Sequence, residues 1–120
     1  MRRNPELIRS IGLAIEAADG YLVASELAIP GFGEDAIVYH CNLLLDSGFI
    51  VAVDIGTRAC AGDLQIERLT SAGHDFVDAA RNPEVFQKAL AKIGPTVQSV
   101  GLDVLVQVLG QVAINVMGIG

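Results

Sequence analysis

The sequence predicts an α+β fold, mainly α, in which a winged helix-turn-helix-like domain is followed by a long apolar C-terminal helix. Three observations support this prediction. The 120 residues are 52% hydrophobic and 18% charged, which suits one domain with a packed core. Apolar residues recur every three to four positions through most of residues 5–93, but residues 49–55 and 64–70 have the pattern of strands. After residue 94 the chain is apolar with few interruptions.

The first helix is predicted by its start signal, Asn4-Pro5-Glu6. Asparagine is a capping residue, proline fits the first helical position, and an acid suits the positive end of the helix dipole. Asp19-Gly20 is expected to end this helix, and the residues from Tyr21 to Ala24 are predicted to form a short strand. The apolar positions between these signals have helical spacing: Leu7, Ile8, Ile11, Ala14, Ile15 and Ala18.

A second helix followed by a hairpin is predicted in the middle of the chain. The helix runs from about Gly33 to Ser47, and its apolar face consists of Ile37, Cys41, Leu44 and Leu45. Gly48 separates it from a strand at residues 49–55, and a second strand is predicted at residues 64–70. The segment GTRACAGDL between the two strands predicts a loop at the tip of a hairpin.

Two further helices complete the predicted first domain, residues 1–93. Thr70 or Ser71 caps the helix AGHDFVDAARN, and Asn82-Pro83-Glu84 repeats the start signal of the first helix. The order helix, short strand, helix, strand, loop, strand, helix is typical of a winged helix-turn-helix domain. In that architecture the helix at residues 33–47 is presented to a partner and the hairpin is the wing. Residues 25–29 offer the only room for the middle helix of the motif.

The C-terminal segment, residues 94–120, is predicted to be an apolar helix with a single charge, at Asp103. Such a helix has to be covered by protein or lipid. Self-association, docking on the first domain and membrane association are three alternatives, and we favour self-association. Asp103 and the glutamines are costly in hydrocarbon, and the segment contains no Lys, Arg, Trp or Tyr that could anchor it. The residues predicted to form the oligomer interface are Val100, Val104, Leu105, Val108, Val112 and Val116.

The composition indicates which binding partners and which cellular compartment to expect. The net charge is −6 and the eight Lys and Arg residues are scattered, so bulk electrostatics oppose nucleic-acid binding. The first residues become amphipathic at once and do not resemble a secretory signal, so a cytoplasmic location is expected. Cys41 and Cys60 form no CxxC pair and are expected to be free thiols in a reducing compartment.

Catalytic and metal chemistry are not indicated. His40, Cys41, Cys60 and His74 have no standard zinc-ligand spacing, so the histidines are expected to bond to backbone or to a nearby acid. Cys41 lies on the apolar face of its helix, where desolvation favours the neutral thiol. The chain lacks the GxxxxGK[ST], GxGxxG and HExxH motifs. We therefore expect no catalytic residue, no metal, no cofactor and no small-molecule substrate.

Three stretches resemble a family of small uncharacterised bacterial proteins that are often prophage-borne. The stretches are RRNPELIRSIGLAIE, GFGEDAIVYHCNLLLDSGFI and RLTSAGHDFVDAARN, and the resemblance covers about residues 1–93. The matching residues are Tyr39, His40, Leu43, Leu44, Gly48, Ile50, Leu69, Thr70, Gly73, His74, Phe76 and Asp78. The resemblance implies a winged-helix-like fold and a phage setting, and it implies no activity.

Two functions remain open from the sequence. The favoured one is a non-enzymatic, self-associating protein that binds a protein partner, for example as a phage-encoded inhibitor of a host nucleic-acid-handling or defence system. The alternative is a DNA-binding transcriptional regulator, in which the same helix and wing contact the duplex. In both cases the predicted partner-binding residues lie on the presented helix and the wing: Glu34, Asp35, Val38, Asn42, Asp46 and Arg58.

Overall fold

The computed structural model describes residues 1–94 and 101–116, which form an α+β fold that is mainly α. The strands form one antiparallel sheet in the order β1–β3–β2, and the helices pack with it around a common apolar core. The elements in chain order are α1 (Pro5–Ala17), β1 (Leu22–Val23), a 3₁₀ helix (Ala24–Glu26), α2 (Glu34–Asp46), β2 (Ile50–Asp54), β3 (Leu64–Leu69), α3 (Ser71–Ala80), α4 (Pro83–Ile93) and α5 (Leu102–Val116).

Three helices begin at the capping residues that the sequence predicted. The side-chain oxygen of Asn4 accepts from two backbone N–H groups in the first turn of α1, and Asn82 does the same for α4. The Thr70 hydroxyl accepts from Gly73 N at the start of α3. Each cap satisfies N–H groups that have no partner within the helix, so local sequence alone defines these starts.

Gly48 joins α2 to β2 through a Schellman motif. Its φ of 77° is accessible to glycine without strain. Gly48 N donates to Leu45 O, and Phe49 N donates to Leu44 O, so both bonds of the motif are present. The helix therefore turns at once into the strand, as the change of hydrophobic period at this point predicted.

The predicted hairpin is confirmed. β2 pairs with β3 in an antiparallel register that places Ile50 opposite Leu69 and Val53 opposite Gln65. The register shifts between Val51 and Ala52, where the partner changes from Arg68 to Ile66, so the extra residue, Glu67, lies on β3. Core-facing residues of both strands are buried under the helices, where Phe49 stacks on Phe76 of α3.

The predicted fold class, a winged helix-turn-helix-like domain followed by a long apolar helix, is wrong. A helix-turn-helix needs two α-helices joined by a short turn. Residues 18–33 separate α1 from α2, and they contain β1 and a single 3₁₀ turn, Ala24–Glu26. Leu27 is extended, and Pro30 disfavours helical backbone in the residue before it, so no middle α-helix forms.

The C-terminal helix is shorter and more one-sided than predicted. α5 has 15 residues, and its buried side chains Leu102, Leu105, Leu109 and Val112 form one face against α3 and α4. Asp103, Gln107 and Gln111 are exposed on the other side. Over the described ranges 1–94 and 101–116, no helix has the combined length and hydrophobicity required to cross a bilayer. Among the described side chains of α5, which reach Val112, most apolar ones are therefore packed within the chain.

This packing affects the residues predicted to form an oligomer interface. Leu105 and Val112 are buried against the chain's own core, and Val108 is partly buried against it. Val104 is 40% exposed. Val100 and the side chain of Val116 lie outside the described residues. Oligomerisation through this segment stays a prediction, and Val104 is the exposed large apolar side chain among its described members.

Candidate functional site

A cavity of about 600 Å³ lies between the N-terminal half of α2 and the loop that joins β2 to β3. The helix contributes Glu34, Asp35, Val38, Tyr39 and Asn42, while the loop contributes residues 59–62 and the chain start contributes Met1. The wall is therefore apolar where it consists of Val38, Met1 and two alanines. The first turn of the helix adds two carboxylates. We refer to the cavity below as the α2 cleft.

Asn42 holds the loop against the helix. Its side-chain amide donates to Gly62 O at 2.8 Å and to Val38 O, one turn earlier on the helix, at 2.9 Å. Both amide hydrogens are engaged by backbone carbonyls. The predicted role of Asn42 was contact with a partner, but the structure places its donors inside the wall of the α2 cleft.

Asp63 anchors the other end of the loop. This carboxylate is 8% exposed and accepts from Ser25 N at 2.9 Å, from Ser25 Oγ at 2.6 Å and from Leu64 N at 2.9 Å. A buried carboxylate is costly unless hydrogen bonds replace its water. Asp63 therefore connects the 3₁₀ helix to the start of β3 and holds the loop in a defined position beside α2.

The side-chain charge at the α2 cleft is negative. Glu34 and Asp35 are exposed in the first turn of α2, where the helix dipole favours carboxylates. Among the described residues that line the cleft there is no Lys or Arg. Tyr39 is 38% exposed beside these acids, and its ring offers a face to a cation. The arrangement suits a positively charged group better than a phosphate.

The cysteines near this site are held as neutral thiols. Cys60 Sγ donates to Glu34 Oε1 at 3.5 Å, and partial burial together with that carboxylate raises the Cys60 pKa. Burial, aided by Asp63, raises the pKa of Cys41 to about 12. Because the thiolate is the nucleophile, neither position is arranged for nucleophilic catalysis.

His40, on the core side of α2, is structural, as the sequence predicted. Its Nδ1 lies 2.7 Å from Ala36 O, and its Nε2 accepts from Asn4 N at 2.8 Å. Both ring nitrogens are thus bonded to backbone. Within residues 1–94 and 101–116, no three His, Cys, Asp or Glu side chains converge as a metal site requires.

The predicted partner-binding residues divide into three groups. Glu34 and Asp35 are exposed at the mouth of the α2 cleft, whereas Val38 is buried and Asn42 is half-buried in its wall. Asp46 is exposed at the far end of α2, where it lines a separate cavity of about 340 Å³ together with Arg3 and Asp103. Arg58 is exposed in the loop and does not line the cleft.

Several residues of the cleft were not predicted from the sequence. Tyr39 was named only among the residues that carry the family resemblance, and Cys60 only as a free thiol. The pairing of Asp63 with Ser25 gave no local signal, because the two residues are 38 positions apart. The acid at the boundary between the loop and β3 was the available hint, since an acid before a buried strand needs partners.

Comparison with known proteins identifies the family of this chain but indicates no activity. A protein of Haemophilus influenzae strain Rd, described as an uncharacterized protein, is 34% identical over 116 residues, which cover 94% of this chain and 92% of that protein. No solved structure matches the chain. The family model described as "Hypothetical protein (DUF2513)" matches residues 2–99. This chain therefore belongs to the DUF2513 family.

Proposed function

We propose that this protein is a non-enzymatic binding protein whose α2 cleft receives a basic segment of a protein partner. The observation that supports this proposal most directly is the cleft itself, which combines exposed Glu34 and Asp35 with the ring of Tyr39 and has no basic residue in its described lining. Opposite charges steer association and select partners, so a Lys- or Arg-bearing segment is the complementary ligand. The overall charge of −6 acts in the same direction.

The proposed setting is the bacterial cytoplasm, with a phage-encoded inhibitor as its most specific form. The resemblance to prophage-borne proteins motivates this setting. Host proteins that handle nucleic acid carry basic grooves for phosphates. An acidic cleft such as the α2 cleft can bind the basic residues of such a groove in place of nucleic acid.

A charge-reversal experiment tests the proposal. The full chain is immobilised, a protein that it retains from its native host is identified, and the purified pair is measured by calorimetry at several salt concentrations. The double variant Glu34→Lys with Asp35→Lys is expected to bind about tenfold or more weakly, because close charge pairs at interfaces contribute strongly. The double variant Asp46→Lys with Asp75→Lys is the matched control, since it reverses two exposed acids outside the cleft and changes the net charge by the same amount. Equal weakening by both variants, or by neither, would contradict the assignment.

The DNA-regulator alternative is tested on the same material. Arg58 is the exposed basic residue of the loop, so a duplex bound there would lose affinity in Arg58→Ala. We expect no retardation of duplex DNA by the wild-type chain at low salt. Salt-dependent retardation that Arg58→Ala weakens would instead establish the alternative and remove the protein-binding proposal.

A further inference from the structure

The two carboxylates of the α2 cleft are not equivalent. Glu34 Oε1 accepts from Cys60 Sγ at 3.5 Å, so the loop already engages this acid. Asp35 is exposed, and within residues 1–94 and 101–116 its carboxylate makes no hydrogen bond and no ion pair. Asp35 therefore offers both of its oxygens to a ligand.

Tyr39 lies one helical turn beyond Asp35. Residues four positions apart are neighbours on the surface of a helix, and both of these side chains line the cleft. The Tyr39 ring packs against the imidazole of His40 in a T-shaped contact, with the ring centroids 5.4 Å apart. Because both nitrogens of that imidazole are bonded to backbone, the tyrosine ring rests on a fixed neighbour. The cleft thus presents an aromatic ring beside an available carboxylate.

This pair of groups discriminates between the two basic side chains. A guanidinium is planar, so it can direct two parallel N–H groups at one carboxylate while its face stacks on an aromatic ring. The lysine ammonium is a compact, strongly hydrated charge that forms no such two-pronged bond. Apolar contact with Val38 and the loop alanines is available to the methylene stem of either residue, so the head group decides.

The chain itself contains an arginine held by the same two kinds of contact. The Arg9 Cζ atom lies over the Phe86 ring, 5.5 Å from its centroid. The edge of the same guanidinium donates to backbone oxygens, from Nε to Ala80 O at 2.6 Å and from Nη2 to Arg81 O at 2.9 Å. One guanidinium can therefore use a ring and oxygen acceptors together, and the α2 cleft presents both.

We propose that the α2 cleft is specific for arginine, and that the guanidinium of a partner's arginine stacks on Tyr39 while it pairs with Asp35. This inference rests on the proposed function, because it names the side chain by which the basic segment is recognised. The cavity of about 600 Å³ lies within the size range of sites that enclose small ligands, so one arginine side chain can enter it. Other basic residues of the segment add steering by charge.

A titration with two peptides of equal charge tests the proposal. Both are capped pentapeptides of lysine, but one has arginine at its centre, and each is added to the isotope-labelled full chain at low salt. We expect both to shift the NMR resonances of residues 34–42 and 59–62, and the arginine peptide to bind roughly three- to tenfold more tightly. Tyr39→Leu should bring the two affinities within about twofold of each other. Tyr21→Leu is the matched control, because it removes a tyrosine that is 61% exposed outside the cleft, and it should keep the preference.

A second pair of variants tests the carboxylate. Asp35→Asn is expected to reduce the ratio of the two affinities, because an amide has only one oxygen for a two-pronged bond. Glu34→Gln should weaken the binding of both peptides alike and leave the ratio unchanged. Both acids are exposed, so this pair decides if Tyr39→Leu fails to fold by circular dichroism.

The other outcomes separate this inference from the proposed function. Equal affinity of the wild type for the two peptides, with shifts in the cleft, overturns arginine specificity and leaves the basic-segment proposal standing. A preference that survives Tyr39→Leu, or that Tyr21→Leu also removes, overturns the inference as well. The same holds if Asp35→Asn and Glu34→Gln change the ratio equally. If neither peptide shifts the resonances of the cleft, both proposals are wrong.

Discussion

At the scale of single residues, His40 connects two helices through its neutral ring. With Nδ1 donating to Ala36 O and Nε2 accepting from Asn4 N, the imidazole holds the cap of α1 against α2. Burial lowers the pKa of His40 from its ordinary value of 6.5, although the bond to Ala36 opposes that effect. Protonation would remove the acceptor for Asn4 N and leave a buried donor without a partner, which costs free energy.

The depressed pKa of His40 predicts a pH-dependent stability. Below about pH 6.5 the unfolded chain binds a proton at this residue before the folded chain does, so the free energy of unfolding falls as pH drops from about 7 to about 5. Urea unfolding at these two pH values measures the change. His40→Gln should lose less stability over the interval, because it cannot titrate. Equal pH dependence in the wild type and in His40→Gln would contradict the prediction.

At the scale of elements, α3 approaches β2 at Gly73. Thr70 Oγ1 donates to Gly48 O at 2.6 Å and also caps α3, so the start of the helix is tied to the junction between α2 and β2. A Cβ at Gly73 would lie 2.0 Å from Phe49 O. A real side chain cannot occupy that space unless one of the two backbones moves.

In Gly73→Ala, a gain in helix propensity therefore opposes a loss of free energy from overpacking. Alanine is favoured over glycine in a helix by about 1 kcal/mol. Overpacking against backbone costs about 1–3 kcal/mol or more, so we expect net destabilisation in urea unfolding. Gly110→Ala in α5 is the control, because no described atom lies within 4 Å of the added Cβ, and it should stabilise by about 0.5–1 kcal/mol. Stabilisation by Gly73→Ala would show that the two elements are not in close contact.

These elements also show how far sequence reasoning reaches. The caps Asn4, Thr70 and Asn82 were predictable, because each acts on N–H groups within three residues along the chain. The exposed acids of the α2 cleft were also predictable, because their place in the first turn of a helix follows from the local sequence. The contacts of Asn42 were not predictable, because its side-chain amide donates to the carbonyl of Gly62, which lies in a loop 20 residues later in the chain.

At the scale of the whole molecule, the last helix completes the core. Apolar content alone predicted that residues after 94 need covering, but it could not say which surface covers them. The structure gives α3 and α4 as that surface, and Leu109 of α5 is fully buried. The earlier helices thus leave an apolar surface that α5 fills, and the free energy of unfolding should depend on residues of α5 as it does on those of α1.

Leu109→Ala measures that dependence. Removing a fully buried leucine side chain typically costs about 2–5 kcal/mol, because apolar burial is lost and a cavity remains. If α5 belongs to the same cooperative unit as the sheet, the variant should unfold in a single transition at lower urea concentration, with the loss seen by every spectroscopic probe. Val104→Ala, on the exposed side of the same helix, should change the free energy of unfolding by no more than about 0.5 kcal/mol. A Leu109→Ala midpoint equal to that of the wild type would mean that α5 does not belong to the cooperatively folded core.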